Sequence, residues 1–502
     1  MKKLIALLLA LLMVFGMLAG CASQESVQPN DNKEQTTTTD ESADKDSESA
    51  EEPVEIIWLI RNDEPQHYDE VMAAVNEKLL AELNMTLDLR FIAPGDYETK
   101  MQMAMAGGDD WDLCFTSHWC NNYVNAAGKG AYLELTPEML AENAPNLMET
   151  MPEQFWDGIK VNDGIYGMIN YQIMYSQAGF MIMKDVVDEQ GIDVSTIDNW
   201  DTLNEVLGQI AEAYPDRYAT RGAGVSQPEL FLQETPLSLV MSLPFLMYDT
   251  ETQKIDNNKF FEEIEPALAS FKLWKDEGYV PADAATLKDE NTLLKSGQII
   301  SRYQANKPGV EAALKATYGV DYVVIPMGGS VVNTNSAQAT ITAVNINSEH
   351  PEKAIQLYDY IFGNPEIANM LFYGLEGLDY ELVDGRVQKL DGCWTAPAWQ
   401  LGNQFNAMLT VNDVDGVWEE TMKLNAEADL DPLFGFAPDR TAIETGLASC
   451  EAVWGEYKDI LYYGLQDYTT VIPEMMEKLE IAGLAKVTEE LQSQIDAWLA
   501  SK

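Results

Sequence analysis

From Pro53 onward the chain alternates between two hydrophobic periods. Val54 to Ile60 is a short apolar run with β-branched residues, which suits a buried strand. Between Gln66 and Leu83, Val71, Val75, Leu79 and Leu83 recur four apart and so share one face of a helix. Met85, Leu87, Leu89 and Phe91 then alternate with polar neighbours, the two-residue period of a second strand. Asp96 to Ala106 predicts another helix, ended by Gly107 and Gly108, and Trp111 to Thr116 a third strand. The β-α-β-α-β order implies a parallel sheet with right-handed crossovers, whose carboxyl edge is where such folds place ligands.

A second alternation starts at Phe180. Helical stretches near Leu203 to Ala213 and Ile264 to Lys275 lead to a strand at Tyr322 to Ile325. Pro351 suits the first position of a helix with Ala354, Leu357 or Tyr358, and Ile361 facing the core, and Asn364-Pro365-Glu366 starts another. Asp163-Gly164 and Asp384-Gly385 predict hairpin turns. The tail carries Val487, Leu491, Ile495 and Leu499 on one face of a last helix. In a chain of 502 residues this body exceeds what one hydrophobic core usually organises, so two lobes are expected.

The start of the chain follows different rules. Lys2 and Lys3 precede an apolar run from Leu4 to Ala19, and Leu18-Ala19-Gly20-Cys21 closes it, the pattern of a lipoprotein signal (1–21) with acylation at Cys21. The run is too short for a spanning helix, and lipid chains on Cys21 would hold the protein at the extracellular face of the membrane. Residues 22–52 are acidic, carry the Thr36 to Thr39 tract and no aromatic residue, and predict a disordered linker with a reach on the order of 30 Å. The net charge of −51 argues against nucleic acid as a partner. Cys114, Cys120, Cys393 and Cys450 form no C-x-x-C pair, and His67, His118 and His350 sit at no metal-ligand spacing, so no metal and no cofactor is expected. Four cysteines allow three pairings, among which the sequence does not choose. Asn412-Asp413-Val414-Asp415-Gly416 lacks the full calcium-loop spacing and reads as a turn.

In this order the segments resemble the extracellular solute-binding lipoproteins of ABC importers, in the carbohydrate-type branch related to maltose-binding protein. Besides the lipobox, the resemblance is carried by Tyr97-Glu98-Thr99-Lys100-Met101, by Ala106-Gly107-Gly108-Asp109-Asp110-Trp111-Asp112 and by Asp163-Gly164-Ile165-Tyr166-Gly167. Leu294-Lys295-Ser296-Gly297-Gln298 and Asn347 to Ala354 follow, and then Gly402-Asn403-Gln404-Phe405-Asn406 and Leu433-Phe434-Gly435-Phe436. The resemblance implies an α/β, two-lobe periplasmic-binding-protein-like fold with a hinge between the lobes. Lobe 1 would take 53–170 plus 326–372, and lobe 2 would take 171–325 plus 373–502. It also implies a monomer that binds a small molecule, a sugar or oligosaccharide, between its lobes and delivers it to an ABC permease encoded separately. The chain itself lacks the G-x-x-x-x-G-K-[ST] loop that would power transport.

Sugars present apolar C–H faces and hydroxyl edges, so a site needs aromatic platforms beside planar polar side chains. Candidates of that kind are Trp58 and Arg61 after the first strand, and Ser117, Trp119 and Asn121 after the third. Tyr171 and Gln172 stand near the first lobe crossing, and Arg302 and Gln304 after the Gly297 turn. Trp394, Trp399, Asn403, Gln404 and Asn406 form the densest group. Trp119 and Trp399 lead the set, although each aromatic has core packing as its plain alternative. Arg61 and Arg302 would suit a uronate if the ligand carries a carboxylate. A peptide or amino-acid binder or a sensor on the same scaffold is the other function class, and an anchored glycoside hydrolase a third. The hydrolase would need two facing carboxylates, and the chain shows no G-x-S-x-G, H-E-x-x-H or S-x-x-K pattern, so no catalytic residue is assigned.

Overall fold

The computed structural model describes residues 52–107, 110–222 and 237–502. The lipoprotein signal, Cys21, almost all of the acidic linker and the Gly108 helix stop lie outside the described residues. Among those described, no helix is long and apolar enough to cross a membrane.

Two hydrophobic clusters organise the body. The first surrounds a five-stranded sheet in the order Met85–Ile92, Val54–Arg61, Leu113–Thr116, Ile341–Val344, Met168–Ile169. Its first three strands are parallel, as their β-α-β-α-β order requires, and Ile341–Val344 runs antiparallel to both of its neighbours. The helix Tyr68–Leu83 buries Val71, Val75 and Leu79, and Met85, Leu87 and Leu89 face inward along the edge strand. Asp112 locks the third strand in place: its carboxylate accepts the Ile57 N–H at 2.9 Å and the Ser348 hydroxyl at 2.5 Å.

The second cluster surrounds a four-stranded sheet in the order Ser301–Tyr303, Ser176–Met183, Tyr322–Val332, Asp429–Leu430. Three C-terminal helices, Glu444–Tyr462, Tyr468–Ala482 and Leu484–Ser501, pack into it through Leu447, Met475, Val487, Leu491 and Ile495. The expected hairpin at Asp384-Gly385 forms, with both residues at positive φ. At the earlier hairpin the positive φ angles fall on Asn162 and Asp163, one residue before the expected pair.

The division between halves differs from the expected one at three places. Tyr171, Met174 and Tyr175 pack with the first cluster, so the first crossing comes at Ser176. Met327 packs in the second cluster and Val332 in the first, so the second crossing comes at Val331 and Val332 rather than at 326. Tyr373, Tyr380, Val387, Trp394, Leu401 and Ala407 also belong to the first cluster, although 373–502 was expected in lobe 2. The reason is Trp394, which fills the space beneath Tyr68 and Phe91 with ring centroids 6.5 and 5.7 Å away and keeps the chain on the first half.

The chain therefore crosses three times, and the crossings lie side by side. Ser176 pairs with Val331, and Val331 and Val332 pair with Asp429 and Leu430. Asn425, fully buried, pins the first crossing to the third. Its Oδ1 accepts the Met174 N–H at 2.8 Å and the Tyr175 N–H at 3.3 Å, and its Nδ2 donates to the Gln172 carbonyl at 2.8 Å. Asn425→Leu strands those backbone groups in a buried setting and is expected to cost about 1–3 kcal/mol, read as a lower urea midpoint at unchanged m-value.

Candidate functional site

A cleft of about 620 Å³ opens beside the crossings. The first half contributes polar side chains, His118, Asn122, Asn335 and Gln338; the second contributes mostly apolar ones, including Leu239, Val240, Met247, Phe260 and Phe436. Several of the polar groups are held from behind. Asn122 caps the helix Tyr123–Gly128 by accepting the Asn125 N–H and donates to the His118 carbonyl, while Gln338 donates to the Gly158 carbonyl at 2.9 Å. Burial draws the His118 imidazole from 6.5 down to about 4, so at neutral pH it offers one donor and one acceptor and no charge. Asp431 is the one carboxylate among the described lining residues. It accepts the Ser238 hydroxyl at 2.5 Å and the Leu433 N–H at 2.8 Å, and burial raises its pKa above the usual carboxylate range.

Across the cleft, Asn335 Nδ2 donates to Ser242 Oγ at 2.8 Å. Met241 and Ser242 both have φ 59°, the left-handed region that a side chain disfavours, and they form part of the second half's wall. Such strain persists only where surrounding contacts impose it.

Next to His118 lies an aromatic shelf. Trp119 is 46% exposed, and its ring lies 6.1 Å from Trp399 and 5.7 Å from Phe115. The Arg61 guanidinium covers Trp119 at 5.2 Å from the ring centroid. Two local devices place these rings. The Ser117 hydroxyl accepts the Cys120 N–H at 2.8 Å, and Asn121, at φ 48°, donates from its side chain to Tyr132 Oη at 3.0 Å, so the loop turns sharply and Trp119 stands outward. Its indole N–H donates to the Ala339 carbonyl at 2.9 Å. Gln400 pairs with both backbone groups of Arg61 at 3.0 Å, which docks the loop carrying Trp399 on the end of the first strand.

The fourteen candidate residues thus separate. Arg61, Trp119 and Trp399 come together. Trp58 is fully buried against Tyr358, and Trp394 is a core residue whose indole donates to the Leu371 carbonyl. Ser117 and Asn121 build the turn. Tyr171 is buried edge-on to Phe405 at 4.7 Å, and the Gln172 carbonyl serves Asn425. Asn403 caps the Phe405 N–H, Gln404 donates its backbone N–H to Tyr171, and Asn406 holds the Phe362 carbonyl. Arg302 stands on the edge of the second sheet, ion-paired with Glu290 at 2.5 Å and bonded to Gln304; Glu290 also pairs with Arg221. Arg302 thus shares one carboxylate with Arg221. Cys114, Cys120, Cys393 and Cys450 are all free thiols, three of them buried.

Two sequence profiles match the chain. That of a bacterial extracellular solute-binding protein covers residues 65–367. The chain belongs to that family of extracellular solute-binding proteins. A domain of unknown function (DUF3502) matches residues 432–500. A carbohydrate ABC transporter substrate-binding protein of Streptococcus pneumoniae is 27% identical over 468 residues, covering 91% of this chain and 93% of that one. The crystal structure of the N-glycan transport solute-binding protein NgtS of Streptococcus pneumoniae superposes with a TM-score of 0.76 at 26% identity, over 89% of this chain and 99% of NgtS. NgtS in complex with Man1GlcNAc and with Man5GlcNAc gives 0.68 and 0.66 over the same coverage. A human-milk-oligosaccharide-binding protein of Bifidobacterium longum infantis, at 15% identity and a TM-score of 0.63, shares the two-lobe fold.

In this solute-binding protein none of the fourteen candidate residues lines the cleft: sequence reasoning left out His118, Asn122, Asn335 and Gln338 of the first wall as well as the whole of the second. Met241, Ser242, Phe436 and Arg440 carry no periodicity that separates a cleft wall from a core. Asn333-Thr334-Asn335, a polar triplet directly after the long Tyr322–Val332 strand, was the available signal. The neutral His118 makes a measurable prediction. Its folded pKa is depressed, so the unfolded chain takes up the proton first. The stabilisation is complete above about pH 6.5 and is lost as pH falls toward about 4. Urea unfolding across that window should decline less steeply for His118→Gln than for the unaltered protein.

Proposed function

We propose that this extracellular solute-binding protein captures a neutral oligosaccharide in the cleft, closes around it and delivers it unaltered to an ABC permease encoded separately. The observation that carries the reading is the polar wall of His118, Asn122, Asn335 and Gln338, with the Trp119 and Trp399 shelf outside the lining residues but directly after His118 in the chain. A half-exposed tryptophan next to a second one offers stacking area for the C–H face of a sugar, and amides and a neutral imidazole suit its hydroxyl edge. The uronate alternative loses Arg302 to its ion pair, and Arg61 is engaged over Trp119.

The relatives support the same reading. One is a carbohydrate transporter component, and NgtS has been crystallised with mannose-containing glycans. At equal identity and coverage, the TM-score falls from 0.76 for the NgtS structure with no named glycan to 0.68 and 0.66 for the complexes. Rigid halves set at a different angle would produce such a drop, which supports a ligand-driven change of the angle between the halves. Closure is favoured only as far as the ligand binds the closed state more tightly. The protein acts as a monomer, tethered through a lipid on Cys21 by the acidic stretch 22–52.

Man5GlcNAc at 100 times its dissociation constant should stabilise the protein by about 2.7 kcal/mol. Trp119→Ala should weaken binding about tenfold in calorimetry while leaving the melt of the empty protein in place, because the ring is half exposed. A panel in which peptides shift the melt and glycans do not would turn the assignment to the peptide class. Cys21→Ser should release the protein from the membrane fraction into the medium, read by blotting both fractions.

A further inference from the structure

The region that matches a domain of unknown function begins at the third crossing, and its first residues alternate between the two halves. Leu433 and Phe436 belong to the second hydrophobic cluster, whereas Phe434, between them, is buried in the first. Its seat is made by small residues. A Cβ on Gly158 would lie 2.7 Å from the Phe434 ring and 2.4 Å from Ala337, so only glycine leaves room. Gly435, at φ +89°, passes so close to the Asp157 carbonyl that a Cβ there would stand 2.9 Å from it. The Thr334 hydroxyl, on the first half, accepts the Gly435 N–H at 2.9 Å. Beyond this point the segment returns to the second half. Phe436, Pro438 and Arg440 line the cleft there, and the three C-terminal helices root the segment in the second core. Among the described residues no ion pair engages Arg440, whereas Arg90, Arg221, Arg302 and Arg386 each have a carboxylate partner.

We propose that residues 432–500 are the ligand-reading jaw of the second half, with Arg440 and Pro438 contacting the bound glycan and the Phe434 ring serving as the pivot on which the jaw turns. A large ring seated in the opposite core through a glycine-lined gap anchors the segment to the first half by packing, whereas the other link across the cleft, Asn335 to Ser242, is a single hydrogen bond that rotation about the ring can break. The proposal rests on the glycan reading above and extends it to a function for the C-terminal region.

Calorimetric titration with Man5GlcNAc tests the jaw. Arg440→Ala should raise Kd tenfold or more with the melt of the empty protein unchanged. Small-angle scattering tests the pivot: Phe434→Leu should alter the decrease in radius of gyration that Man5GlcNAc produces in the unaltered protein. Should the leucine variant fail to fold, Thr334→Val, which removes the hydroxyl holding Gly435, gives the same readout. Unaltered affinity in Arg440→Ala, or unaltered compaction in the pivot variant, overturns the proposal while the glycan reading stands. If the unaltered protein binds no glycan, the glycan reading fails and the jaw falls with it, an outcome visible before any variant is made.

Discussion

Three backbone segments, hydrogen-bonded side by side at Ser176, Val331 and Asp429, are the constraint on which the rest of the molecule depends. Among the described residues they are the covalent links between two separately packed cores. A sheet of three short crossings resists shear along its hydrogen bonds and yields to bending. Asn425 stiffens it by engaging three backbone groups of the first crossing from the helix that leads into the third. The arrangement supplies what a capture protein needs, two rigid bodies with one compliant degree of freedom between them.

The cleft beside this hinge is electrically mild in a chain of net charge −51. Amides and a neutral imidazole line one side. The one carboxylate among its described lining residues is tied down by Ser238 and the Leu433 N–H, and burial raises its pKa. Arg440 is the cationic side chain among its described lining residues, and a further charged group, Arg221, Glu290 and Arg302, lies at the edge of the second sheet. Solubility and the cleft are thus served by different surfaces: the acidic exterior disfavours polyanionic partners, and the cleft presents hydrogen-bonding groups opposite an apolar wall.

Positioning on the aromatic shelf illustrates how exposed rings are held by polar residues that stay behind them. Ser117 and Asn121 spend their hydrogen bonds on folding the loop that turns Trp119 outward. Gln400 imitates a strand partner for Arg61 and brings Trp399 from a distant part of the chain to within 6.1 Å of Trp119. These supports are as polar as any sugar contact, which is why composition alone draws them into a candidate site.

Local periodicity determined much of this protein by itself: the first three parallel strands and their helices, the Asp384-Gly385 hairpin and the amphipathic tail helix, since each depends on residues two to four positions apart. The order of motifs along the chain likewise determined the family and its two-lobe plan. Tertiary structure alone decided which half holds 373–407, because the packing of Trp394 beneath Tyr68 and Phe91 joins residues far apart in sequence. It also decided which tryptophans face solvent. Trp58, Trp119, Trp394 and Trp399 have the same chemistry, and only the hydrogen bonds and neighbours met after folding separate two core rings from two shelf rings. The second wall of the cleft was equally hidden, for an apolar residue beside a cleft and one inside a core are written identically until the opposite half is in place.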